Sequence, residues 1–326
     1  MTTRNGIRTY QGSVAFITGG ASGIGKALAL ELARRGAAEI VIADIQMDLA
    51  EEVGRELRGL GARATVVEVD VRDAAQVERA VDDTFERSAR IDYVFNNAGT
   101  GVMGETHLLE KRDWDLMIDI NLHGFVNVIR SAYPRLVEQG FGHMINTASM
   151  AGLVGPPFLS VYGGTKHFVV GMSKAMRIEA ARFGVRVTAL CPGAVKTPIL
   201  TGGSIGRSIY DMTDDRKLAW WKRFRPGDVD VFAKETLDLV AKNEGVIVLP
   251  KHNRIGLRLF RMFPMLEEVV SAKLHAKTLA EFPEMNLTKR PARDTGAATT
   301  AGGAEKRQIR TSSPSDPRPM PRERSR

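Results

Sequence analysis

Tyr162 and Lys166 stand four residues apart at the end of the run from Ser149 to Lys166, SMAGLVGPPFLSVYGGTK. On a helix, positions i and i+4 lie one above the other on the same face, so the Lys166 ammonium would sit near the Tyr162 phenol. A phenol normally titrates near pH ~10, and a nearby cation favours its ionised form. The spacing therefore predicts a phenol tuned to exchange protons near neutral pH. Ser149 follows an apolar run ending IN-TAS that reads as the end of a strand. Its hydroxyl could return to hydrogen-bond the same substrate oxygen as Tyr162. A tyrosine and a lysine at helical spacing also occur with no chemical role, so the pair gains its meaning from what surrounds it.

The surroundings form an alternation of short apolar runs and helical stretches. Residues Ser13 to Thr18 read as a buried strand, which runs into the loop Thr18-Gly-Gly-Ala-Ser-Gly23-Ile-Gly25 and then into KALALELARRG, a helix stopped by Gly36. A strand, a glycine loop and a helix N-terminus together make an anion site, with free N–H groups and the positive helix end directed at a pyrophosphate. The next apolar run ends at Asp44, nineteen residues beyond Gly25. A carboxylate there is placed to accept hydrogen bonds from an adenosine ribose. It also repels a 2′-phosphate, since unit charges about 4 Å apart interact by ~4 kcal/mol at an effective dielectric of 20. No Lys or Arg at position 22 or 45 offsets it, so NAD is expected in preference to NADP; a solvated strand-end carboxylate is the plain alternative.

Residues 47–60 are predicted helical, ARATVVEVD is a strand ending at Asp70-Val71, 73–89 are helical, and IDYVF leads into Asn96-Asn97-Ala98-Gly99. This βαβ alternation predicts an α/β fold: one doubly wound, Rossmann-like parallel sheet with helices on both faces. Ligands bind beyond the carboxyl ends of such strands, and Thr18, Asp44, Asp70, Asn96 and Ser149 all fall there.

In order and approximate spacing, TGGASGIG, Asp44, Asp70-Val71, NNAG, Asn121, Ser149, Tyr162-x-x-x-Lys166 and Pro192-Gly193…Thr197 resemble the short-chain dehydrogenase/reductase family over roughly residues 10–250. The resemblance implies hydride transfer between nicotinamide and a secondary alcohol or ketone. In it Tyr162 is the general acid/base, Ser149 orients the substrate oxygen, and Lys166 binds the nicotinamide ribose and lowers the Tyr162 pKa. Asn121, in the predicted helix LMIDINLHGFVNVIR, holds a water of the proton relay. It also implies a cofactor lined by Thr18, Gly19, Ser22, Gly23, Ile24 and Gly25 at the pyrophosphate, and by Asp44, Asp70, Val71, Asn97, Ala98 and Gly99 on the adenosine side. Pro192, Gly193, Val195 and Thr197 border the nicotinamide. One departure is Gly163-Gly164 between the tyrosine and lysine, which weakens a helix by about 0.5–1 kcal/mol per glycine. The family's subunit-contact helices imply a homodimer or homotetramer.

Residues 12–250 are assigned to the catalytic domain, after a leader of 1–11, with 198–225 as a substrate lid. Within the lid, Trp220, Trp221 and Phe224 either close over an apolar substrate or are ordinary packing aromatics. A helix over 229–243 and the strand GVIVLP complete the sheet. Beyond Pro250, residues 251–285 form an amphipathic helical extension. Its stripes are Arg254, Arg258 and Arg261 on one side and Ile255, Leu259, Met262, Phe263 and Leu266 on the other. The apolar stripe packs against the lid or a partner subunit, or lies at 251–270 on an anionic membrane surface. Either way the substrate is expected to be nonpolar, lipid-like or polycyclic. Residues 286–326, rich in Pro, Ser, Thr, Gly and Arg, are expected to be a disordered tail.

Composition narrows the classes further. Of the net +8 of the 326 residues, the tail supplies +6, from 10 Lys and Arg against 4 Asp and Glu, so the folded part is nearly neutral. No specific nucleic-acid partner is implied. The single cysteine, Cys191, permits no internal disulfide and sits in an apolar run as a small buried side chain. The scattered histidines suggest no metal site. With no signal-peptide pattern and no apolar run near 18 residues, a soluble cytoplasmic protein is expected, peripheral to a membrane at most. Two rival readings share the fold: an NADP-dependent carbonyl reductase, and a non-catalytic dinucleotide sensor, the latter disfavoured because all four catalytic positions are occupied.

Overall fold

The structure is a computed structural model that describes residues 9–203 and 205–289; the expected leader up to residue 8 and the tail from residue 290 lie outside the described residues. Alternation begins with β1 (Val14–Thr18), α1 (Gly23–Arg34), β2 (Glu39–Asp44), α2 (Met47–Gly59), β3 (Arg63–Glu68), α3 (Ala74–Ser88) and β4 (Tyr93–Asn96). After a short strand β5 (Val102–Met103) come α4 (Lys111–Ile118), α5 (Phe125–Gln139), β6 (Gly142–Thr147), α6 (Ser160–Ala180) and β7 (Val185–Pro192). The chain continues through β8 (Arg207–Ser208), α7 (Asp214–Lys222), α8 (Val229–Ala241) and β9 (Val246–Leu249), then α9 (Asn253–Met262) and α10 (Pro264–Glu281).

Seven strands pair in the order β3-β2-β1-β4-β6-β7-β9, and every pairing is parallel. Both faces of the sheet are covered, which is why its strands read as continuous apolar runs. In β2, Ile40 and Ile42 face one core with Leu28, Leu32 and Leu57, whereas Val41 and Ala43 face the other with Val77, Val128 and Met176. This period-two split places α1, α2 and α8 on one face and α3, α5 and α6 on the other. Strand order reverses between β1 and β4, so the loops after those two strands diverge and open a crevice.

Two sequence expectations are corrected here. Asn121 does not sit in a regular helix: a π-helical segment, Asp119–Gly124, joins α4 to α5. The extra residue per turn rotates the side chains that follow, which the 3.6 periodicity of the apolar residues does not reveal. The C-terminal extension is likewise two helices, because Pro264 has no N–H to continue α9. Its apolar stripe does not pack on the lid: Ile255, Leu259, Met262, Phe263 and Leu266 are all exposed, and Leu257 is the buried contact of α9. The arginine stripe divides too, since Arg254 turns inward to donate to the Val248 carbonyl at 2.9 Å.

Candidate active site

The crevice begins at the end of β1. Ser22 is the N-cap of α1, in extended conformation, and its side chain makes no capping bond; the first turn contains no acidic residue. The first N–H groups of α1 therefore face outward with the positive end of the helix, as anion recognition needs. Gly25 keeps this turn tight, because a Cβ there would stand 2.1 Å from the Gly19 carbonyl oxygen. Gly19 itself has φ +66 and lies against Ala98 of the next loop.

Thr18 ties the two loops together. Its hydroxyl accepts from the N–H groups of Asn97 and Ala98 at 3.0 and 3.1 Å, and the Asn97 amide donates back to the Thr18 carbonyl at 3.1 Å. At the end of β2, Asp44 is buried and its carboxylate accepts from the N–H groups of Ala21 and Gln46 at 2.9 and 3.0 Å. At the end of β3, the Arg72 guanidinium clasps Asp70, with Nε 2.9 Å from both carboxylate oxygens, and holds that carboxyl below its usual range. Arg72 also lines the crevice and is already paired.

The other half of the site is built on β6 and α6. Ser149 leads a short 3-10 turn, Met150–Gly152, and caps the N–H of its second residue, Ala151, at 3.1 Å. Tyr162 enters from the second residue past the start of α6 and Lys166 from one turn later. Gly163 lets that helix approach the turn: a Cβ there would meet the Ala151 carbonyl at 3.2 Å and the Pro156 ring at 3.3 Å. The glycine pair noted in the sequence is thus half explained, since nothing crowds Gly164.

Lys166 lies beside the Tyr162 ring, as the spacing predicts, but its ammonium bonds elsewhere. Its Nζ is 5.7 Å from the Tyr162 ring centroid and donates to the Thr147 carbonyl at 2.9 Å. Burial pushes the Tyr162 phenol up, opposed by its hydrogen bond with Ser149, and pushes the Lys166 ammonium down to about 8. In the protein alone, burial is the larger influence on the phenol and the Ser149 hydrogen bond opposes it. Cys191, at the end of β7, is fully buried and its thiol is pushed up to about 12, so it stays neutral.

Asn121 lies just behind this pair. Its Oδ1 accepts from the Thr100 N–H at 2.9 Å, and its Nδ2 donates to the Thr100 carbonyl at 3.0 Å and to the Thr165 hydroxyl at 3.2 Å. It fastens the loop after β4 to α6, one residue from Lys166. Thr147, Thr100 and Thr165 were not singled out from the sequence. Thr147 carried a usable signal, because it ends a strand two residues before Ser149.

One cavity of about 510 Å³ runs from Gly19, Ser22, Gly23 and Ile24 to Ser149, Tyr162 and Lys166. Asp44, Asp70, Val71, Asn97, Ala98, Gly99, Pro192, Gly193, Val195 and Thr197 also line it, whereas Thr18, Gly25 and Asn121 stand behind its wall. Of the three lid aromatics, Trp221 lines the cavity. Trp220 is buried edge-on against Trp221 and Phe158, and Phe224 packs beside it at 5.2 Å, so these two support the lid rather than face the cavity. Open helix N-terminus, close-packed glycines and strand-end carboxylate together fit a dinucleotide.

Burial of Lys166 has a measurable consequence. Its folded pKa, about 8, lies below the unfolded value of ~10.4, so between those pH values the unfolded chain binds a proton that the folded chain does not. Stability then rises with pH across that window. Relative to Lys166→Met, the wild-type protein is expected to gain about 3 kcal/mol as pH climbs through it. Parallel urea melts give that difference; a constant gap between the two proteins would contradict it.

The family model described as short chain dehydrogenase matches residues 13–204. Oxidoreductase UcpA of Escherichia coli K12 is 38% identical over 189 residues, 58% of this chain and 71% of that protein. Cyclohexanol dehydrogenase of an Acinetobacter species is 35% identical over 192 residues, 59% of this chain and 76% of that one. Among solved structures, a short chain dehydrogenase/reductase of Burkholderia phymatum in complex with NAD superposes with a TM-score of 0.72 at 28% identity, covering 79% of this chain and 96% of that one. With the parallel sheet, the strand-end crevice and these likenesses in agreement, the chain belongs to the short-chain dehydrogenase/reductase family of oxidoreductases, which act on CH–OH donors.

Proposed function

We propose that the protein interconverts a hydrophobic secondary alcohol and its ketone, using NAD(H) in preference to NADP(H), with Tyr162 as the general acid/base. The observation that carries this reading is the continuity of the cavity, which joins the anion-binding turn at Ser22 to Ser149, Tyr162 and Lys166. When bound there, the nicotinamide supplies the hydride acceptor or donor. The glycine turn and the first N–H groups of α1 would hold the pyrophosphate, Asp44 the adenosine ribose, and Lys166 the nicotinamide ribose. Ser149 fixes the substrate oxygen, and Tyr162 takes its proton in oxidation and returns it in reduction. Burial keeps the phenol protonated at neutral pH, which suits the acid of carbonyl reduction. Asn121 keeps the loop after β4 and α6 in register, so that Lys166 stays beside the reacting groups.

The rest of the lining supports this substrate class. Met103, Leu159, Ile199, Leu200, Ile205 and Trp221 border the cavity. Besides Lys166 and the Arg72 that clasps Asp70, two cations border it, but the Arg207 guanidinium pairs with buried Asp113, and Lys217 is 2.9 Å from Asp214. Neither charge is free to recognise an anionic substrate, which favours a neutral apolar one. Initial rates with NAD over a panel of cyclic, long-chain and small polar secondary alcohols test this. The highest kcat/KM is expected for the cyclic and long-chain members; a best substrate that is small and polar, or no turnover of any, would overturn the reading.

We also assign a second copy of the chain as the partner of α4 to α6, where Trp114, Phe168 and Ile178 leave large apolar side chains in water. Light scattering at micromolar concentration is expected to give a dimer or tetramer mass, and a one-chain mass would contradict the assignment.

A further inference from the structure

The two helices after β9 present an outward face that the catalytic reading does not use. Ile255, Leu259 and Met262 of α9, Phe263 at the break, and Met265 and Val269 of α10 are all exposed, four of them by more than half of their surface. Single exposed apolar residues are ordinary, but six within fifteen residues form a continuous patch. Arg258 and Arg261 flank them, are exposed and make no ion pair among the described residues, although Arg261 is close enough to act on the buried Cys191 thiol. Of the acids on α10's first turns, Glu267 is turned inward to accept from the Gly155 N–H at 2.7 Å and Glu268 is exposed. No helix among the described residues is long and apolar enough to cross a membrane.

We propose that this face of α9 and the first half of α10 docks the protein on the surface of an anionic lipid bilayer. Apolar side chains flanked by arginines match a boundary where acyl chains meet anionic headgroups, and a short helix lying in that plane buries one and neutralises the other. A second copy of the chain fits worse. A two-fold contact would gather four arginines, two from each copy, into one interface with the two Glu268 carboxylates as the exposed acids in the patch to offset them. A polyanion such as nucleic acid would leave the apolar residues uncovered.

The inward face of α10 connects this surface to the substrate side of the cavity. His275 is 2.6 Å from Glu105 and stacks on Phe158, with centroids 4.9 Å apart at 18°. Phe158 and Gly155 belong to the segment between Ser149 and Tyr162. Docking would therefore hold the segment between Ser149 and Tyr162 one helix from the bilayer, which accords with an apolar substrate and does not rest on that reading.

The test is co-sedimentation of the full chain with vesicles of phosphatidylcholine alone and of phosphatidylcholine with phosphatidylserine. Partitioning onto the phosphatidylserine vesicles is expected. Each basic side chain at such a surface strengthens it about fivefold, so Arg258→Gln with Arg261→Gln should weaken it about 25-fold. Met262→Ser with Met265→Ser should weaken it roughly tenfold, with NADH-dependent turnover unchanged. Failure of the wild-type chain to bind would overturn the proposal. So would undiminished binding by the arginine variant, which would move the contact to the basic sequence beyond Lys289. A methionine variant that keeps vesicle binding but loses oligomer mass would instead make a second copy the occupant. Turnover is read separately, so loss of catalysis and loss of docking are distinguishable.

Discussion

Tyr162→Phe is expected to lower the rate of hydride transfer about 10²- to 10⁴-fold, the usual contribution of a positioned acid or base, while NADH still binds. The substitution removes one hydroxyl and leaves the ring. The features that seat the ring stay in place: Thr165 donates to the Tyr162 carbonyl at 2.8 Å, and Gly163 keeps α6 against the turn at Ala151. Lys166 keeps its bond to the Thr147 carbonyl, so the expected ribose contact survives. What is lost is the proton that must reach or leave the substrate oxygen. Calorimetry for NADH and single-turnover rates for the ketone separate the two effects. Equal rates in the two proteins would remove Tyr162 from the chemistry.

Asp44→Asn is expected to shift the ratio of NADP to NAD affinity towards NADP by at least about a hundredfold. A unit charge about 4 Å from a 2′-phosphate is worth ~4 kcal/mol at an effective dielectric of 20, about a thousandfold, and salt reduces that. The burial of Asp44 limits the reduction. The carboxylate also accepts one backbone N–H on each oxygen, from Ala21 and Gln46, so asparagine can satisfy one of the two. A local cost of about 1–3 kcal/mol should accompany the shift and appear as weaker binding of both nucleotides. The ratio, read from paired titrations, cancels that cost. A ratio unchanged from wild type would mean that Asp44 does not set cofactor choice.

The residues that were legible in the sequence are those whose role follows from strand ends and helical spacing. Apolar runs leading to Thr18, Asp44, Asp70, Asn96 and Ser149 mark parallel strands buried on both faces, and the crevice lies where such strands stop. The i,i+4 spacing brought Tyr162 and Lys166 onto one side of α6, but it carries no information on burial or on the Thr147 carbonyl that takes the ammonium. Trp220 and Trp221 are neighbours in sequence and differ in fate. About 100° of helical rotation separates them, and Phe158, Phe282 and Met285, all more than fifty residues away, decide which is buried. The π segment at Asn121 was hidden for a related reason, since a single extra residue leaves the apolar pattern almost intact. The break at Pro264 was readable from its ring, whereas the outward turn of the apolar stripe depends on which faces of α9 and α10 the rest of the chain covers.

The most direct test of the central claim is label transfer from NADH deuterated at its reactive nicotinamide carbon, with cyclic and long-chain ketones as acceptors and mass spectrometry of the product alcohols. The expected result is a single deuterium on the carbinol carbon, formed by the wild-type chain and at least about a hundredfold more slowly by Tyr162→Phe. Nucleotide bound and returned with its label, and no deuterated alcohol from any acceptor, would contradict hydride transfer at this site and leave a dinucleotide-binding protein on the same fold.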